Sequence, residues 1–340
     1  MIQQYSDVLA TGIGVSCRGG SVISGNSGII SSATVGGSNL LNVDNSHNSS
    51  SYCDRDVQSD HLIVLQHGFL GNHYDMQHLE NALFALLPAA TTHVLSARCN
   101  DSANDESIHV MARNLVKELC EYVELNLPHL LDERTPGRFS FIGHSMGGLI
   151  IRKALEHDDL KFLRRRCHVY VSLATPHLGT VYAESPLVSA GMWTLLQWRQ
   201  SAALKELNLH DTVFGDAKKT TLFRLSENAV LSWFKKVVLV SSPRDLYVPR
   251  YSASLRLHHC SKLSDLSNHH NQIIAKMHAN MMGQLDAGRL IRLTIDNNVG
   301  TETNLNSVIG RAAHICYLES GVVSLQLVYT LYSYLYQQQL

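Results

Sequence analysis

From His61 onward, short apolar runs recur along the chain with helical patterns between them. "HLIVLQ" (61–66), "THVLSA" (92–97), "RFSFI" (138–142), "HVYVSLA" (168–174), "KKVVLVS" (235–241) and "RLIRLTI" (289–295) are such runs. An unbroken apolar run of this length suits a strand buried on both faces. The intervening "MQHLENALFALL" (76–87) puts Met76, Leu79, Leu83 and Leu86 on one helical stripe. "SIHVMARNLVKELCEYVEL" (107–125) does the same with Ile108, Met111, Leu115, Leu119 and Tyr122, and "GLIIRKALEH" (148–157) is a third helical stretch. Strands alternating with helices predict an α/β fold, a mainly parallel central sheet with helices on both faces.

Three stretches depart from the alternation. Residues 1–59 are rich in Gly, Ser and Asn with no apolar period, which predicts a disordered low-complexity segment and leaves 60–340 as the folded domain. Residues 176–232 separate two strands by far more than one crossover helix. Within them "SPLVSAGMWTLLQWRQSAALKELNL" is helical in period and unusually apolar. The expectation is an inserted helical cap above the carboxyl edge of the sheet, with Trp193 and Trp198 as substrate-binding residues. The tail "GVVSLQLVYTLYSYLY" is short for a bilayer span and carries Ser, Gln and Tyr, so a packed amphipathic helix is expected there.

Bulk composition narrows the field. The 340 residues are 45% hydrophobic and 17% charged, as in ordinary globular chains. Lys plus Arg (28) nearly balances Asp plus Glu (29), so charge gives no reason to expect nucleic acid or an anionic surface as partner. Seven cysteines, an odd number without a CxxC pair, read as reduced thiols. With no leader pattern at the start, this points to a cytoplasmic setting.

Candidate chemistry centres on "FIGHSMGGLI" (141–150). A strand runs into Gly143-His144-Ser145-Met146-Gly147 and a helix follows. A serine on so sharp a strand-to-helix turn, flanked by residues without Cβ, has the form of a nucleophile elbow. A serine nucleophile needs a base, and the base an orienting acid, in chain order Ser, Asp or Glu, His. Asp245, just after a buried strand in "VVLVSSPRDLYVP", is the candidate acid; Asp211 and Asp216 are weaker because they lie in the insertion. Of the downstream histidines, His258, His259, His269, His270 and His278 precede the last strand, and only His314 in "SVIGRAAHICYLES" follows it. His144 and His177 fit packing or loop hydrogen bonding better than catalysis. The oxyanion donors would be the N–H of Met146 and that of Phe69 or Leu70, in "QHGFLGN" (66–72) after the first buried strand. "HHC" (258–260) and "NHH" (268–270) lack HExxH or CxxC company, so no metal is expected. Neither a dinucleotide fingerprint nor a P-loop occurs, so no cofactor is expected.

"QHGFLGNHYDM", "FIGHSMGGLIIRKAL" and "LATPHLGT" resemble the serine esterase family of lipase-like α/β-hydrolases, long labelled as of unknown function. "SARCNDS", "FKKVVLVSSPRDLYVP" and "IGRAAHICYLES" are similar to the C-terminal lipase-like domain of a large eukaryotic group within it. The resemblance covers about residues 61–335. It implies the α/β-hydrolase fold and puts Ser145, Asp245 and His314 at the positions of the family's triad. The expected activity is hydrolysis of acyl or lipid esters through an acyl-enzyme, with transient contact at a membrane surface. A non-catalytic binding module is the alternative from another class. Acyl transfer, thioesterase or amidase chemistry would use the same triad.

Overall fold

The computed structural model describes residues 59–103, 105–183, 201–212, 216–296 and 314–336, together with the backbone of 2–4. Nearly all of residues 1–59, expected to be a disordered segment, lies outside the described residues.

All six expected strands form, within one or two residues of the pattern. They are β2 (Asp60–Gln66), β3 (Thr92–Ser96), β4 (Gly137–His144), β5 (Cys167–Leu173), β6 (Lys236–Ser241) and β7 (Leu290–Ile295). They pair in parallel in the order β3-β2-β4-β5-β6-β7. A short β1 (Ile2–Gln4), in a stretch where the pattern predicts no element, adds an antiparallel edge to β7. The molecule has the α/β-hydrolase architecture: a mostly parallel sheet covered by helices.

The unbroken apolar runs are explained by two cores. Along β2, Leu62 and Val64 face one cluster while Ile63 and Leu65 face the other. Along β6, Val237 and Leu239 oppose Val238 and Val240 in the same way. The first cluster is closed by α2 (Ile108–Asn126) and α3 (Gly147–Ala154). The second is closed by α1 (Gln77–Leu86) and a terminal helix, Gly321–Tyr336, which packs on α1 through Leu327, Val328, Leu331 and Leu335. No described helix is long and apolar enough to cross a membrane. One further helix, His269–Met282, joins the first cluster through Ile273, Ile274, Met277 and Met281. Its helical period is short and follows a polar first turn, so histidine chemistry masks it in the sequence.

Strand order fixes where a ligand can sit. From β2 the chain turns outward to β3, then returns to lay β4 on the other side of β2. Neighbouring crossovers diverge at that point and open a crevice at the carboxyl ends of β2 and β4. The loop beginning at His67 and the turn beginning at Ser145 both leave the sheet there.

Besides His67, four histidines are buried among the described residues: His61, His144, His168 and His177. Burial holds all four below the ordinary imidazole range, His144 at about 3 and His168 at about 4. Nearby positive groups add to it: Arg138 for His61 and His168, and Arg152 for His177. In the unfolded chain each takes a proton near pH 6.5 that the fold refuses. The unfolded state therefore binds more protons below that pH, and stability falls as pH drops from about 6.5 toward about 4. If all four stay neutral, the loss reaches up to about 5 kcal/mol per pH unit. Urea midpoints between pH 7.5 and 5 should fall accordingly, and a constant midpoint would show that the imidazoles charge within the fold.

Candidate active site

Ser145 occupies the turn between β4 and α3 with φ 52°. That left-handed conformation costs a residue with a Cβ on the order of 1–3 kcal/mol and has to be held by its surroundings. Its N–H donates to the Leu173 carbonyl at 2.7 Å, which ties the turn to the end of β5. Its own carbonyl accepts from the Gly148 N–H at 3.3 Å. Glycine is obligatory on both sides because backbone lies against backbone. A Cβ on Gly147 would overlap the carbonyl oxygens of Gln66 and His67, and one on Gly143 would overlap the amide of Gly148. The start of α3 is thereby seated on the end of β2.

Asp245 and His314 meet, although 69 positions separate them: His314 Nδ1 lies 2.7 Å from Asp245 Oδ2. The other oxygen, Oδ1, accepts the N–H groups of Tyr247 (2.9 Å) and Val248 (3.0 Å), so the loop after β6 orients the carboxylate. A carboxylate accepts, so Nδ1 carries the proton and Nε2 is left with a lone pair. The ring of His314 packs against those of His144 (centroids 4.9 Å apart) and Tyr247 (5.6 Å). His144, the last residue of β4, donates its Nε2–H to the main-chain carbonyl of His314 at 2.9 Å. This contact brings the His314 segment against the Ser145 turn.

The competing residues go elsewhere. Asp211 accepts the N–H of Thr221 and Asp216 that of Lys218, so both cap short helical turns. His278 donates to the Leu255 carbonyl. His177 is buried, with Nε2 3.0 Å from Ser172 Oγ and Nδ1 accepting from Arg152 Nη1 at 3.3 Å. Arg152, on α3, is itself fully buried and donates to the Leu225 carbonyl at 2.6 Å. His258 and His259 meet edge to face in a separate short turn.

Beside the serine, the loop 67–72 presses close. A Cβ on Gly68 would stand 2.7 Å from Ser145 Cβ and 3.0 Å from the His144 carbonyl oxygen. Leu70 takes φ 58° at the tip of the loop. Among the described residues the amides of Met146, Phe69 and Leu70 find no protein acceptor, which leaves them free to donate to a bound anion. The loop is braced by Asp101, a residue the sequence pattern does not single out. Its carboxylate accepts the His73 N–H at 2.9 Å and lies 2.5 Å from His73 Nδ1 and 3.2 Å from His67 Nε2.

Trp193 and Trp198 lie outside the described residues. The described flanks of the insertion are fixed. Glu206, in the helix Ala202–Leu207, accepts the Ile108 N–H at the start of α2 (2.7 Å) and the Thr221 hydroxyl (3.0 Å). The following helix, Thr221–Glu227, supplies the Leu225 carbonyl that Arg152 holds.

Residues 56–262 match a protein family described as "Putative serine esterase (DUF676)", and the match takes in β2 to β6 with the Ser145 turn and Asp245. The chain belongs to that family. His314 falls beyond the matched stretch. As a member of this serine esterase family the chain also resembles a protein of Saccharomyces cerevisiae described as "Putative lipase YDL109C", at 29% identity over 217 residues. That similarity takes in 58% of this chain, which spans only 30% of the yeast protein. Among solved structures, the product of gene lin2722 of Listeria innocua is 12% identical with a TM-score of 0.46, over 83% of this chain and 96% of that one. Phospholipase PlaB of Legionella pneumophila is 18% identical with a TM-score of 0.35, over 54% of this chain and 38% of that one.

The packing at Gly68 predicts that Gly68→Ala lowers stability by about 1–3 kcal/mol, because the methyl has to displace the serine turn. Thermal melting checks it; an unchanged melting temperature would mean the loop has room to move away.

Proposed function

We propose that this protein is a serine hydrolase that cleaves carboxylic esters of acyl or lipid substrates through an acyl-enzyme. The observation that carries the reading is the Asp245–His314 hydrogen bond beside the strained serine turn. Ser145 Oγ attacks the ester carbonyl carbon while His314 Nε2 takes the hydroxyl proton. Asp245 holds the Nδ1–H tautomer and stabilises the imidazolium that results. The amides of Met146 and of Phe69 or Leu70 receive the oxyanion. Collapse of the tetrahedral species breaks the ester C–O bond, and the leaving alkoxide takes the proton from His314. A water molecule, deprotonated by the same imidazole, then attacks the acyl-serine and releases the acid. Membership of a serine esterase family supports the ester class, and the yeast relative's description as a lipase favours acyl chains. The apolar insertion with Trp193 and Trp198 is the proposed acyl-binding element, and the odd cysteine count without a CxxC pair favours a cytoplasmic setting.

A fluorophosphonate probe should label the wild-type chain at Ser145, as peptide mapping reads it, and Ser145→Ala should abolish both labelling and hydrolysis of p-nitrophenyl butyrate. The expected loss of turnover is on the order of 10³–10⁶-fold with the fold retained. Asp245→Asn should lose on the order of 10³–10⁴-fold, since its amide would favour the wrong tautomer of His314. A folded wild type that neither labels at Ser145 nor turns over esters of any chain length would overturn the reading.

A further inference from the structure

His144 is a buried imidazole next in sequence to the serine, and the reaction does not use it as acid or base. It is set as a strut. Burial, with His314 close by, holds it down to about 3, so it is neutral and retains a single ring proton. That proton sits on Nε2, because Nε2 faces the main-chain carbonyl of His314 at 2.9 Å and a carbonyl only accepts. The acceptor is the first residue of the helical segment 314–319, 170 positions away in sequence. Asp245 fixes the His314 ring at Nδ1, and a single hydrogen bond leaves a ring free to pivot about it. The strut adds a second fixed point on the backbone, while the neighbouring rings of His144 and Tyr247 crowd the rotation of the His314 ring.

We propose that His144 is a positioning residue that orients the base: its Nε2–H, donated to the His314 carbonyl, sets the height of the His314 imidazole over the Ser145 turn. This rests on the serine-hydrolase reading. Because His144 is the residue immediately before the nucleophile, the elbow itself carries the gauge for the distance between serine and base. An error of about 1 Å in that distance can cost on the order of 10²-fold in rate. Such a loss falls on kcat, because the substrate contacts are untouched.

The test compares three variants. His144→Leu keeps the volume and removes the donor. His144→Gln returns an N–H near the position of Nε2. His144→Asn, whose shorter amide stops short of the carbonyl, replaces the Leu variant if that one does not fold. With p-nitrophenyl butyrate, the donor-less variant should lose about 10–100-fold in kcat with KM within about twofold, and His144→Gln should recover most of it. The second readout does not need turnover: the downfield proton resonance of His314 Nδ1–H bonded to Asp245 should broaden or vanish in the donor-less variant and persist in His144→Gln. A folded donor-less variant with wild-type kcat, or with the resonance unchanged, overturns the proposal. If the wild type shows no hydrolysis or labelling, the hydrolase reading fails, and the resonance alone still decides whether His144 orients His314.

Discussion

The seat of α3 on the end of β2 is the contact on which the rest of the site depends. Gly147 lies directly against the carbonyls of Gln66 and His67, with no side chain between. That contact lets the chain leave β4, reverse through a left-handed serine and enter a helix within three residues. It also brings the loop after β2 to the serine, since the residues that accept α3 run directly into Gly68. The serine turn and the loop after β2, the proposed nucleophile and oxyanion loop, are therefore placed by one approach of two backbones. Side chains would be a poor means to that end, because each would add rotamers where the chemistry needs a fixed distance.

His314, the proposed base, is placed by other means. Its segment lies far along the chain from the serine, and hydrogen bonds of modest individual worth hold it: one from the ring to Asp245, one from His144 to its backbone carbonyl. Net worth per bond is about 1 kcal/mol, more where a charge takes part. Such bonds gain directionality from burial, and the carboxylate is aimed by two amides before it meets the ring.

What could be read from the sequence divides along the same line. The six strands, α1, α2 and the serine turn are local patterns, and period plus turn chemistry fixes them without knowledge of the partner. Asp245 and His314 are legible as candidates because the order of a hydrolase chain restricts which loops reach the serine; Asp211 is weaker because it lies in the insertion and His278 because it precedes the last strand, and both have other partners in the structure. Contacts between distant side chains carry no such signal. From sequence His144 has no more than a packing or hydrogen-bonding role, since nothing local tells that its ring meets a carbonyl far along the chain. Asp101 stood unnoticed because its partners, His67 and His73, come from a loop two elements earlier. The helix at His269–Met282 carries its apolar stripe in Ile273, Ile274, Met277 and Met281, and its first turn of His and Asn gives no apolar period. Trp193 and Trp198 remain tied to the sequence argument alone.

Arg152 ties the inserted helices to the elbow. Its guanidinium is fully buried without a carboxylate in contact among the described residues, and the Leu225 carbonyl and His177 ring are its recorded partners. Pulling the helix Thr221–Glu227 away would leave a cation in an apolar interior with one partner fewer, a far larger penalty than parting two leucines. Local opening of the insertion's base and fraying of α3 are thus bound into one cooperative event. Breathing motions at the base of the insertion therefore have to stop short of Leu225, and the floor beside the serine turn keeps its shape.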